Sequence, residues 1–175
     1  MDQSEQRGFT MVELIVTMVI IGIMAVVVLP RFDLLKGFDE IGYRDKVKAT
    51  LEYARKSAVA GRRLTVFAIA TGSPPCASAT QPCLMVERAT ATPEGECTTA
   101  PCNLQALVLP GSSTNVVNAP TGITVAGPTS IVFDALGRPS GTANCPTASP
   151  VNYCYTVTGS SAETITVEAE TGYVH

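Results

Sequence analysis

The 175-residue chain contains no tryptophan and a single histidine, His175, at its last position. That scarcity removes the commonest general base, because one imidazole at a solvated chain end is poorly set for proton transfer. No glycine-rich phosphate loop follows a strand-like segment. No two cysteines show the two-residue spacing of a zinc knuckle, and no histidine lies near any of them. Charge is also scarce: 15% of residues are Asp, Glu, Lys or Arg, and the formal net charge is −3. Such a balance does not make a nucleic-acid binder by bulk electrostatics, although a local basic patch stays open. No enzymatic activity, metal or cofactor is expected. Asp39 and Glu40 read as a solvated helix face, and Asp134 in "FDALG" reads as a turn residue.

Cysteine is missing from the first 75 residues and then appears six times, at Cys76, Cys83, Cys97, Cys102, Cys145 and Cys154. The six form three close couples: "CASATQPC", "CTTAPC" and "CPTASPVNYC". With zinc disfavoured, disulfides in an oxidising compartment are the better reading. Six cysteines allow about 15 connectivities. Pairing within each couple (Cys76–Cys83, Cys97–Cys102, Cys145–Cys154) is preferred, because each couple brackets a turn-rich loop containing proline. The length suits one domain with a real core and not two.

What the chain has in excess is one apolar run. Between Leu14 and Leu29 there is no charge in 16 residues. Counted from Phe9, the stretch before Pro30 is 21 residues, about 30 Å as a helix, which matches the hydrocarbon thickness of a bilayer. This predicts a transmembrane helix over 9–29. A secretory signal peptide fits poorly: no small-x-small site follows in "LPRFDLLKG", and a short polar leader, "MDQSEQRG", comes before the run and ends in glycine. A plain signal anchor would explain Arg7 on the cytoplasmic side, but not Glu13. A carboxylate at membrane depth is costly unless paired. Cleavage after Gly8 would supply the partner. Phe9 would become a new N-terminus, with its amine one helical turn from Glu13 of the same or a neighbouring subunit.

Gly8, Phe9, Thr10 and Glu13, followed by the apolar run, resemble the class III leader of type IV pilins and type II secretion pseudopilins. The resemblance implies a prepilin peptidase that cuts between Gly8 and Phe9 and methylates the Phe9 amine. It implies that Glu13 is the assembly carboxylate and that Pro30 is the proline that bends the helix. It also implies a single-pass inner-membrane precursor with a cytoplasmic N-terminus and a periplasmic head, later part of a pilus or pseudopilus. The implied partners are the peptidase, other major and minor pilins or pseudopilins, the inner-membrane assembly platform, and membrane lipid before assembly.

Beyond Pro30, Val47, Leu51, Ala54 and Ala58 recur at helical spacing. They predict an amphipathic helix over 30–61, loosened early by Gly37 and Gly42 and stopped by Gly61. The remainder, 62–175, reads as β-rich, with strand candidates at 64–70, 83–89, 104–110, 123–127, 130–139, 153–159 and 164–175 separated by Gly-, Pro-, Ser- and Thr-rich turns. The "ETG" of the last candidate reads as a tight turn. The expected class is α+β: a leader over 1–8, a long pilin helix with a membrane-spanning first half, and a β-rich two-sheet head.

Phe133, Gly137, Arg138 and Pro139 in "IVFDALGRPSG", with the final "ITVEAETGYV", resemble the pseudopilin H and FimT-type minor pilins. "VVLPRFD" resembles the minor pilins of the mannose-sensitive haemagglutinin pilus. The combined resemblance implies a structural subunit acting in assembly initiation or at a filament tip. The alternative is a FimT-like DNA receptor for natural transformation. Arg62, Arg63 and Arg138 are the candidate contacts for DNA, but the Gly-Arg-x-Arg motif of such pilins has Ser140 in its last place here, so DNA is not an expected partner. Arg62 and Arg63 read first as cations at a helix C-terminus.

Overall fold

The computed structural model describes residues 9–28, 32–90, 103–145 and 152–175. Gly8, Pro30 and the couple Cys97–Cys102 lie outside these residues. The chain divides into two compact units, one ending at Lys36 and one beginning at Gly37.

The first unit contains α1 (Met11–Val28), an 18-residue helix with Glu13 in its first turn. Among the described residues no helix is long and apolar enough to cross a membrane, so the expected membrane-spanning first half is not met there. Phe9 and Thr10 precede the helix and Leu29 lies outside the described residues. The 18 residues of α1 span about 27 Å, against about 30 Å of hydrocarbon.

The second unit is an α+β head, and α2 (Phe32–Gly61) supplies its helix. The predicted stripe is its buried face: Val47, Leu51, Ala54 and Ala58 are all sealed from solvent, joined one and two turns earlier by Tyr43 and Glu40. Neither Gly37 nor Gly42 interrupts the helix.

Among the described residues nine short strands follow: β1 (Thr65–Ala70), β2 (Cys83–Ala89), β3 (Leu104–Ala106), β4 (Val116–Asn118), β5 (Thr124–Ala126), β6 (Ser130–Phe133), β7 (Pro139–Gly141), β8 (Tyr153–Thr158) and β9 (Ala162–Val167). They form two antiparallel sheets. One runs β3-β2-β1-β6-β7, with β4 also on β2; the other runs β5-β8-β9. Phe67 of β1 meets Tyr155 of β8 edge to face, with ring centroids 5.4 Å apart, so one aromatic pair joins the sheets. The α2 stripe, Phe67, Val86, Phe133, Tyr155 and Ile165 belong to a single core.

Three strand readings need correction. The candidate at 104–110 is only Leu104–Ala106, because the chain then loops out through Gly111 (φ 75°) and rejoins the edge of β2, running the same way, as β4, which the sequence reading missed. β3 pairs with Glu87–Ala89 and β4 with Cys83–Met85, so two short segments share one edge of β2. The candidate at 130–139 is a hairpin. Asp134 makes its turn: its carboxylate accepts the Leu136 and Arg138 amides at 2.8 Å each, and Gly137 sits at φ 81°. In the last candidate, β9 ends at Val167. The chain turns through Gly172 (φ 65°), and Val174 returns to bridge Val167.

Two disulfides are present among the described residues. Cys76–Cys83 ties the loop after β1 to the start of β2, and Cys145–Cys154 ties the segment after β7 to β8.

The helix stop also differs from expectation. Gly61 is the last helical residue, and Arg62 takes the left-handed conformation, φ 48°. The Arg63 amide donates to the Ala58 carbonyl at 3.1 Å and the Arg62 amide to the Val59 carbonyl at 3.4 Å. This is the Schellman closure, with Arg62 where glycine is normally found. The buried stripe sets the register, so the glycine arrives one residue early.

Glu40 is the larger departure. It is not on a solvated face but 1% exposed, set in the β8–β9 turn. One carboxylate oxygen accepts the Ser160 amide (2.8 Å), the Ser160 hydroxyl (3.0 Å) and the Ser161 amide (3.1 Å), and the other accepts the Ser161 hydroxyl at 2.7 Å. Gly159 leaves room for it, since a Cβ there would lie 2.8 Å from the carboxylate. The Ser161 hydroxyl and amide, helped by those of Ser160 and opposed by burial, hold the Glu40 carboxyl at about 2 instead of its ordinary 4.5.

Two predictions follow from these positions. Because its folded pKa is depressed, Glu40 contributes stability that is complete above about pH 4.5 and lost as the pH falls toward 2. Chemical denaturation across that window should show Glu40→Gln with a flatter acid limb than wild type; the other carboxylates titrate in both proteins, so the difference reads Glu40. Arg62→Gly should relieve the left-handed strain and raise stability by about 0.5–1 kcal/mol in urea unfolding, and an unchanged or lowered midpoint would contradict the capping geometry.

Candidate functional site

The N-terminal segment holds the residues that the sequence singles out, and its local geometry is a helix start. Thr10 stands at the N-cap of α1. Its carbonyl accepts the Leu14 amide at 3.2 Å, and its hydroxyl oxygen accepts the Glu13 amide at 3.3 Å. Thr10-Met11-Val12-Glu13 is therefore a capping-box sequence, with Glu13 at the third helical position. The pattern is legible in the sequence, but the reading of Glu13 as a buried charge in search of a cation passed over it. An acid in the first turn also faces the positive end of the helix dipole.

The rest of α1 has no polar face. Thr17, the polar interruption, turns its hydroxyl back onto the Leu14 carbonyl at 2.9 Å. Every described side chain from Phe9 to Ala25 is exposed, with Phe9 at 74% and Met11 at 86%. Phe9 itself lies before the helix. Helices that are apolar all round occur inside large proteins or in membranes, where something other than water covers them.

The arginines read as candidate DNA contacts lie just past the end of α2 and in the β6–β7 turn. Arg62 is exposed but forms the α2 cap, and Arg63 follows it half-buried. Arg138 is exposed in the β6–β7 turn. That turn packs onto the last turns of α2: a Cβ on Gly137 would lie 3.0 Å from Val59 and 3.2 Å from Arg55. Arg55 donates through Nε to the Thr171 carbonyl at 3.0 Å, so the C-terminal turn joins the same cluster. Ser140, in the place of the second arginine of the DNA-binding motif, is a β7 residue whose hydroxyl donates to Val132 at 3.2 Å. Phe133 and Pro139 are buried directly opposite one another across the hairpin, which gives that run a structural use.

No curated protein and no solved structure matches the chain. Residues 3–29 match the prokaryotic N-terminal methylation motif, a type IV pilin-like prepilin signal of the kind that a prepilin peptidase processes for assembly with other pilins.

Proposed function

We propose that the chain is a structural minor pilin or pseudopilin, not an enzyme. It is made as a single-pass inner-membrane precursor with a cytoplasmic N-terminus and a periplasmic head. It is cleaved between Gly8 and Phe9, methylated at Phe9, and taken into a type IV pilus or type II secretion pseudopilus, in assembly initiation or at the tip. The observation that carries this reading is α1: a helix with no polar face, its described side chains all exposed, lying within the prepilin-like signal that matches residues 3–29. In lipid the apolar surface is satisfied before assembly, and in a filament core it is satisfied by other helices. The Phe9 amine then supplies the counter-charge for Glu13, one turn away.

Two glutamate variants separate the charge from the cap. Both variants keep the Glu13 amide bond to the Thr10 hydroxyl; glutamine loses the charge but keeps a side chain that can close the capping box, whereas alanine loses both charge and side chain. Pairing with the Phe9 amine predicts that Glu13→Gln and Glu13→Ala are both cleaved by the peptidase, and that both fall by at least about tenfold in incorporation into sheared filaments, the factor that corresponds to 1.4 kcal/mol. Wild-type incorporation of Glu13→Gln would assign Glu13 to the cap alone and sink the pairing. Gly8→Val should instead block cleavage, leaving full-length precursor in the membrane fraction.

A further inference from the structure

At the C-terminal end of α2 the head gathers cations that the proposed filament role does not use. Arg88 of β2 reaches this end: a Cβ on Gly61 would lie 3.5 Å from Arg88 Nη1 and 3.7 Å from its Cδ. β1 and β2 pair so that Thr65 stands directly opposite Arg88, and opposed residues of an antiparallel pair put their side chains on the same face. The ladder continues one residue before β1, with the Ala89 amide donating to the Leu64 carbonyl at 2.8 Å. Arg63 is the residue next to Leu64 on the chain, so its long side chain starts within reach of this end of the ladder.

Three donors here lack a partner. Thr65 is 0% exposed, and its hydroxyl is unpaired among the described residues. The Nε atoms of Arg63 and Arg88 are buried and unpaired as well. Arg44 Nε shares that condition, but the carboxylates of Asp45 and Glu163 lie 3.4 and 4.0 Å from its guanidinium. Among the described residues no such ion pair forms at Arg63 or Arg88. Buried donors without acceptors are costly and call for an explanation. Two guanidinium groups with no counter-charge among the described residues add repulsion. The α2 carbonyls offset about half a unit of this charge, which leaves an excess for an anion.

We propose that Arg63, Arg88 and Thr65 form a binding site for one small oxyanion of phosphate or sulfate size. Such an anion accepts from both guanidinium groups and from the Thr65 hydroxyl, matching acceptors to the unpaired donors. It clamps the start of β1 to β2 beneath the end of α2, next to the left-handed Arg62. The site is independent of the N-terminal segment.

The test uses the full-length protein in detergent micelles. Thermal unfolding is followed by circular dichroism in rising sodium phosphate, in sodium sulfate, and in sodium chloride at matched ionic strength. An oxyanion site gives a saturable rise in Tm in phosphate or sulfate beyond that in chloride, as expected for a ligand that binds only the folded state. The saturable part should vanish in Arg63→Gln and in Arg88→Gln and persist in Arg138→Gln. Should Arg88→Gln fail to fold, Arg63→Gln decides alone. An equal rise in chloride, no rise at all, or a saturable rise that survives Arg63→Gln overturns the proposal.

Discussion

The burial of one face of α2 against two sheets is the constraint on which the head depends. Its stripe begins at Glu40 and ends at Ala58, and each sheet contributes side chains to the same core. Neither sheet is large among the described residues: one has six strands and the other three, most of them only three or four residues long. Strands that short pair weakly by themselves, so the helix and the Phe67–Tyr155 contact make them one body. The register of the stripe also fixes where the helix stops, which is why an arginine and not a glycine takes the left-handed position.

Glu40 extends this logic at the other end of the stripe. A carboxylate on a core face is tolerable only where its oxygens are satisfied, and the Ser160 and Ser161 amides and hydroxyls do that. The helix and the β8–β9 turn are joined by polar chemistry at one end and by apolar packing along the rest. The charge-assisted bonds demand a specific partner geometry, whereas aliphatic packing tolerates small shifts. The pair therefore helps to choose one seating of the helix among the several that a smooth apolar stripe allows.

α1 presents the opposite situation. Its chemistry is as regular as that of α2, but the described side chains have no cover. Its N-terminal capping box defines where it starts, and nothing local defines what surrounds it. The head is organised by contacts within the chain, whereas the described side chains of α1 stay exposed. The basic end of the head, with its unpaired donors, is a second place where the chain by itself leaves polar chemistry unfinished.

The elements with strong local patterns were legible. The α2 stripe shows helical periodicity, and β1, β2 and β8 alternate or run apolar between turn residues; each appears where the pattern predicts it. Asp134 and Gly137 announce a turn through their own backbone preferences. The capping box at Thr10 and Glu13 was equally local, but it was passed over because the same glutamate posed a more conspicuous electrostatic problem. Glu40 falls on the core spacing, seven residues before Val47 and three before Tyr43. Its charge argued for solvent, and only the serine pair more than a hundred residues away makes the buried position affordable. β4 was missed because three residues carry little periodicity and the strand exists only by pairing with β2.

The sequence alone thus determined the apolar run, its glycine-ended leader, the helix stripe and the turns, because these depend on spacing within a few residues. Tertiary structure alone decided that Glu40 goes inside, that Arg62 closes the helix, that β3 and β4 share one strand edge, and that Thr65 stands opposite Arg88. Those outcomes depend on which distant groups arrive to satisfy a charge, a carbonyl or a donor, and local patterns do not encode such encounters.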